Sequence, residues 1–160
     1  MTKSQLQKYL ILSFGLVFFI TGMAKVLSAF GKARVLEEYD PILGLSFAHL
    51  MLVAGILELG LAGLCWRLGR AMNPPATRRA TIAVVWFSTL LVGYRFGLHF
   101  VDWHHPCRCL GDYTQALHLS EETADAVMMV ILSYLFFGSY GLLIWQWKSG
   151  APEGKLAGKP

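Results

Sequence analysis

Two of the chain's three cysteines stand one residue apart in Cys107-Arg108-Cys109, within the polar stretch His104-His105-Pro106-Cys107-Arg108-Cys109-Leu110-Gly111-Asp112. Two thiols so placed can close on each other, pass a disulfide to another protein, or hold a soft metal ion. A bond between residues two apart is allowed, because their Cα atoms can fall within the window of about 4.4–6.8 Å that disulfides need. The ring is tight, which favours reduction and exchange. Arg108 and the neighbouring histidines favour the thiolate, the form that attacks. The competing outcome is a permanent staple that shapes the loop and reacts with nothing.

The metal alternative needs Cys107 and Cys109 together with two of His99, His104, His105 and His118, ligand types suited to zinc or Cu(I). Against it, structural zinc usually takes a Cys-x2-Cys spacing. Cys65 reads as a small inert hydrophobe at the far end of its helix, a membrane thickness from the other two thiols. The sequence holds no glycine-rich phosphate loop, no serine nucleophile elbow and no paired catalytic carboxylates.

The elements that must position these groups are apolar. Hydrophobic residues make up 55% of the 160 positions and charged residues 15%, against about 25% charged in soluble domains. Four apolar segments, about 9–27, 45–66, 80–101 and 123–147, each approach or exceed the roughly 20 residues that cross a hydrocarbon core. With no water to satisfy backbone groups there, they must be helices. The expected fold is therefore all-α, an integral-membrane four-helix bundle over residues 1–148, with the lipid bilayer as its first partner. The Gly/Pro/Lys-rich tail 149–160 is expected to be disordered. The small residues of Gly22-Met23-Ala24 offer a signal-peptide cleavage site, but the first apolar run is long for such a peptide, and a retained span is expected. The net charge of +4 is not patched with interleaved aromatics, so nucleic acid is not an expected partner.

Lysine and arginine placement sets an expected orientation. Arg67, Arg70, Arg78 and Arg79 crowd the second connection with no acid among them, while Lys3, Lys8, Lys148, Lys155 and Lys159 mark the termini. The third connection carries Asp102, Asp112, Glu121, Glu122 and Asp125 against Arg108. Both termini then face the cytoplasm. The cysteine motif faces an oxidising compartment, where disulfides form and persist. The tryptophans near the span ends read as an aromatic belt.

Polar residues inside the spans form faces. Thr81, Ser88, Arg95, His99 and Asp102 fall within an arc of about 60° on the third helix. That stripe is either buried in the bundle, with Arg95 neutralised by a neighbour, or a path to the cysteine loop. Glu58 lies near mid-span, where an ionisable group is costly and a functional candidate by default. Its structural alternative is an ion pair with Lys25 or Arg95. Gly15, Gly22 and Ala29 recur every seven residues on the first helix and put Lys25 beside a close-packed face.

With Gly22-x-x-Lys25 closing the first span, Glu58 in the second, and Cys107-x-Cys109-Leu110-Gly111 after the third, the chain resembles the DoxX-like superfamily. Within it, residues 9–147 are most similar to the methylamine-utilisation protein E (MauE) branch. That branch carries Cys-x-Cys-Phe-Gly where Leu110 here replaces the aromatic residue. The resemblance implies a multi-pass protein of a bacterial inner membrane, with the cysteine loop in the periplasm, that helps mature a disulfide-rich periplasmic client and works beside a thioredoxin-like partner. It places the redox role on Cys107 and Cys109, with quinone a candidate electron acceptor. Lys25, Glu58, Arg95, His99 and Arg108 are the expected supporting cluster. The rivals are a membrane subunit or assembly factor with a structural disulfide, and metal handling through Cys107, Cys109, His104 and His105.

Overall fold

A computed structural model describes residues 3–30, 39–71, 74–101 and 121–149. Four helices run through them: α1 (Lys3–Ala29), α2 (Phe47–Ala71), α3 (Pro74–Phe100) and α4 (Glu121–Ser149). Each is long and apolar enough to cross a membrane. They outrun the apolar segments because polar ends join the same helices. α3 takes in Arg78 and Arg79 and opens on Pro74-Pro75, where proline's missing N–H costs nothing. α2 opens after Ser46, whose carbonyl accepts from Leu50 N at 3.0 Å and whose Oγ lies 2.5 Å from His49 Nδ1.

Consecutive helices are antiparallel. On the first pair, Gly15 packs against Ala62 and Cys65, Gly22 against Gly55 and Leu59, and Gly69 against Leu12. On the second, Gln146 donates to Thr81 Oγ1 at 3.0 Å, and Ser88 lies opposite Ser139 at 3.5 Å. We call the end where α1 and α3 finish and α2 and α4 begin the upper end. Lys3, Lys8, Arg67, Arg70, Arg78, Arg79 and Lys148 all stand toward the lower end.

The apolar core occupies the middle and lower bundle. Ile11, Phe14 and Phe18 of α1 meet Ala62 and Cys65 of α2, Val84 and Phe87 of α3, and Leu135 and Leu142 of α4. Phe18 meets Phe87 edge-on with ring centroids 5.7 Å apart, and Phe14 meets Tyr134 at 5.4 Å. Large apolar side chains cover the outside, among them Ile20, Ile56, Trp86, Val130 and Phe137. An exterior this apolar is what a helix bundle presents to lipid. The interior instead holds Lys25, Glu58, Thr81, Ser88 and Ser139.

Candidate functional site in the upper half of the bundle

Charge within the bundle is concentrated above the apolar core, and every helix contributes. The first contribution comes from a close crossing of α1 on α2. A Cβ added to Gly22 would lie 3.0 Å from the carbonyl oxygen of Gly55, and one added to Gly55 would lie 2.8 Å from Val26 Cγ2. Only glycine at both positions lets the backbones approach so far. Lys25 and Glu58 each follow their glycine by three residues. Side chains tilt toward the N-terminus of their own helix, and in an antiparallel pair those tilts converge. Lys25 Nζ accordingly donates to Glu58 Oε1 beside the crossing. Glu58 is 1% exposed and Lys25 7%. The other carboxylate oxygen, Glu58 Oε2, has no hydrogen-bond partner among the described residues, and neither has the buried Ser28 Oγ one turn above Lys25.

The second contribution joins α3 to α4. From Thr81–Gln146 to Ser88–Ser139 the contacts step seven residues along each helix. Continued once more, that register sets Arg95 opposite Leu132. The Arg95 guanidinium instead donates to Asp125 Oδ1, seven residues or about 10 Å nearer the upper end. The long side chain thus reaches toward the upper end of the bundle, the direction in which a basic side chain in a membrane helix leaves hydrocarbon. The pair is half-buried, at 25% and 30% side-chain exposure.

The third contribution is a turn that ties the two halves together. Asp40, 1% exposed, accepts from the Tyr94 hydroxyl through Oδ2. Its Oδ1 accepts from Ile42 N at 2.9 Å and Leu43 N at 2.6 Å. Its own N–H donates to Leu45 O at 2.8 Å, and its carbonyl accepts from Gly44 N at 2.9 Å. Gly44 takes φ +64°, a left-handed conformation glycine adopts without strain. Ile42 Cδ1 lies 2.9 Å from where a Gly97 Cβ would stand, so the turn lies on the upper part of α3.

Of the residues singled out from the sequence, Lys25 and Glu58 are brought together, and Arg95 goes to a different acid. The polar stripe of α3 is turned into the α3–α4 seam through Thr81 and Ser88, with Arg95 neutralised above them. His99, in the last turn of α3, is exposed. Cys65 is fully buried, packed where Gly15 makes room for it. Cys107, Cys109, Arg108, His104, His105, His118, Asp102 and the tail 150–160 lie outside the described residues. Among the described residues no three His, Cys, Asp or Glu side chains gather to hold a metal ion.

The sequence singles out none of Asp40, Tyr94 and Gln146, and offers Asp125 only as a charge of the third connection. The available signals were Asp40-Pro41 with Gly44 three residues on, a turn pattern, and the position of Asp125 inside the apolar period of the fourth span. No family model, curated protein or solved structure matches this chain.

Proposed function

We propose that this multi-pass membrane protein exchanges disulfides with a protein client through Cys107 and Cys109. The single observation that carries the reading is their position in the chain. In the sequence they stand between α3 and α4, whose adjoining ends are both at the upper end, whereas Cys65 is sealed under α1. Cys65 stands 18 residues into α2, about 27 Å below its start. The gathering of lysine and arginine at the lower end supports a cytoplasmic lower face and a periplasmic upper one.

The exchange balances with two protein thiols. A client thiolate attacks one sulfur of the Cys107–Cys109 disulfide. The sulfur–sulfur bond breaks and a mixed disulfide forms. The second client thiolate displaces the remaining cysteine, so the client leaves oxidised by two electrons and the Cys107/Cys109 pair is left reduced. A thioredoxin-like disulfide or a quinone is the class of oxidant that returns the pair to its starting state. The sequence resemblance suggests a disulfide-rich periplasmic client. In this scheme Lys25–Glu58, Arg95–Asp125 and Asp40–Tyr94 brace the upper bundle below the reacting loop.

The test is capture. Cys107→Ser and Cys109→Ser are each expressed in native membranes, quenched with acid and alkylated. One of them should retain a client as a reductant-sensitive adduct. Absence of an adduct from both variants contradicts exchange.

A second reading is favoured by the same ion pairs. Lys25, Arg95 and Asp40 are each engaged by a neighbour within the bundle, as suits a scaffold subunit or assembly factor whose cysteine pair is a fixed staple. Metal handling through Cys107, Cys109, His104 and His105 is the third. It requires metal in the purified protein that His104→Ala with His105→Ala removes.

A further inference from the structure

The turn at residues 39–45 has a property that the helices do not explain. Its backbone N–H groups from Asp40 to Gly44 are turned to partners within the turn, while much of its apolar side-chain surface is exposed. From Asp40 to Gly44 every backbone N–H is either absent or used. Asp40 N donates to Leu45 O, Pro41 has no N–H, Ile42 N and Leu43 N donate to the Asp40 carboxylate, and Gly44 N donates to the Asp40 carbonyl. The carboxylate itself is 1% exposed and also takes the Tyr94 hydroxyl. Outside, Leu43 is 53% exposed, Leu45 49%, Ile42 41% and Tyr39 72%.

A turn in water has no need to satisfy its donors internally, because water does so, and it gains nothing by displaying three aliphatic side chains. A turn whose side chains dip into the acyl layer gains from both: using its N–H groups internally lowers the cost of nearing hydrocarbon, provided that its backbone carbonyls stay at the headgroup level within reach of water. The turn is also continuous with surfaces that face lipid. It leads into α2 and lies on α3 at Gly97, on the stretch of that helix that carries exposed Phe96 and Phe100.

We propose that residues 39–45 are a membrane-inserted turn. Leu43 and Leu45 sit among the acyl chains just below the headgroups of the upper leaflet, and Tyr39 sits at the headgroup level. The buried Asp40 serves as an internal backbone cap that allows the insertion. The partner of this surface is lipid. The proposal does not depend on the thiol chemistry, and requires only that the bundle spans a bilayer.

The test uses the full chain in liposomes of phosphatidylcholine and phosphatidylglycerol, with Cys65→Ala, Cys107→Ser and Cys109→Ser as background. A spin label is placed at Leu43→Cys and, separately, at Leu45→Cys. Val130→Cys on the outer face of α4 and Arg70→Cys at the lower end serve as lipid and water references. Collision rates are read with oxygen, which concentrates in lipid, and with a neutral nickel chelate, which stays in water. The oxygen-to-nickel ratio at both turn positions should resemble that at Val130 and exceed that at Arg70 several-fold. A ratio like that of Arg70 overturns the proposal and leaves a water-exposed turn. Low collision with both reagents also overturns it, because the turn is then covered by protein, either a second copy or another chain. Two label sites guard against one substitution distorting the turn, and agreement between them is required.

Discussion

Lys25 and Glu58 meet across the point where Gly22 and Gly55 bring two helix backbones into contact. The pair is a consequence of chain direction. Each residue follows its glycine by three positions, and each side chain leans back toward its own N-terminus. Two glycines and two charges thus form one unit that fixes the α1–α2 hairpin both laterally and in register.

That unit predicts a large and asymmetric cost for breaking the pair. Glu58→Gln leaves the Lys25 ammonium buried without its counter-charge and should destabilise the protein by about 3–5 kcal/mol. Lys25→Met with Glu58→Met removes both charges and should recover most of that loss. Unfolding in a graded detergent mixture, run as a double-mutant cycle, measures the difference. Equal stability of Glu58→Gln and wild type contradicts the coupling.

The crossing itself makes a positional prediction. Gly55→Ala places a methyl group 2.8 Å from Val26 Cγ2 and 3.0 Å from the carbonyl oxygen of Gly22, and overpacking of that kind costs about 1–3 kcal/mol. Gly60→Ala, five residues on, meets nothing within 4 Å. It should be neutral or slightly stabilising, because alanine is the better helix former. The same unfolding assay separates the two.

Tyr94→Phe removes the hydroxyl that satisfies one oxygen of a buried carboxylate. The expected loss is about 1–3 kcal/mol. Because Asp40 organises the turn, the loss should appear first as faster hydrogen exchange at Ile42, Leu43 and Gly44. Unchanged exchange there removes Tyr94 from the account of the turn.

Arg95 and Asp125 form the contrasting case. Both remain partly open, at 25% and 30% side-chain exposure, so Asp125→Asn should cost no more than about 1 kcal/mol. The effect should shrink as salt rises. A loss as large as that of Glu58→Gln means that the pair is buried by something beyond the described residues.

What the residues reveal of the fold without coordinates divides by length scale. The four helices were legible because apolar runs of membrane length have one solution in hydrocarbon, and the Thr81, Ser88 and Arg95 part of the α3 stripe was legible from its period, whereas His99 of the same stripe is exposed. Which acid each cation chose was not. Lys25, Arg95, Glu58 and Asp125 all stand on helix faces that point inward, and the choice rests on register between helices. Register is set by the Gly22/Gly55 crossing and by the Thr81–Gln146 and Ser88–Ser139 contacts. Asp40 was hidden for another reason. In sequence it belongs to a charge-balanced loop, and only its backbone partners show that it is a cap. The cysteine motif was conspicuous in sequence alone, through residue type and spacing.

Disulfide exchange at Cys107 and Cys109 is tested most directly by their redox state in native membranes. Wild-type cells are acid-quenched and the free thiols alkylated with a mass tag, before and after brief treatment with mild reductant. Exchange predicts a mixture of oxidised and reduced pairs that shifts fully to reduced with mild reductant and returns once it is withdrawn. A pair that is wholly oxidised at the outset and resists the reductant contradicts exchange and establishes the staple.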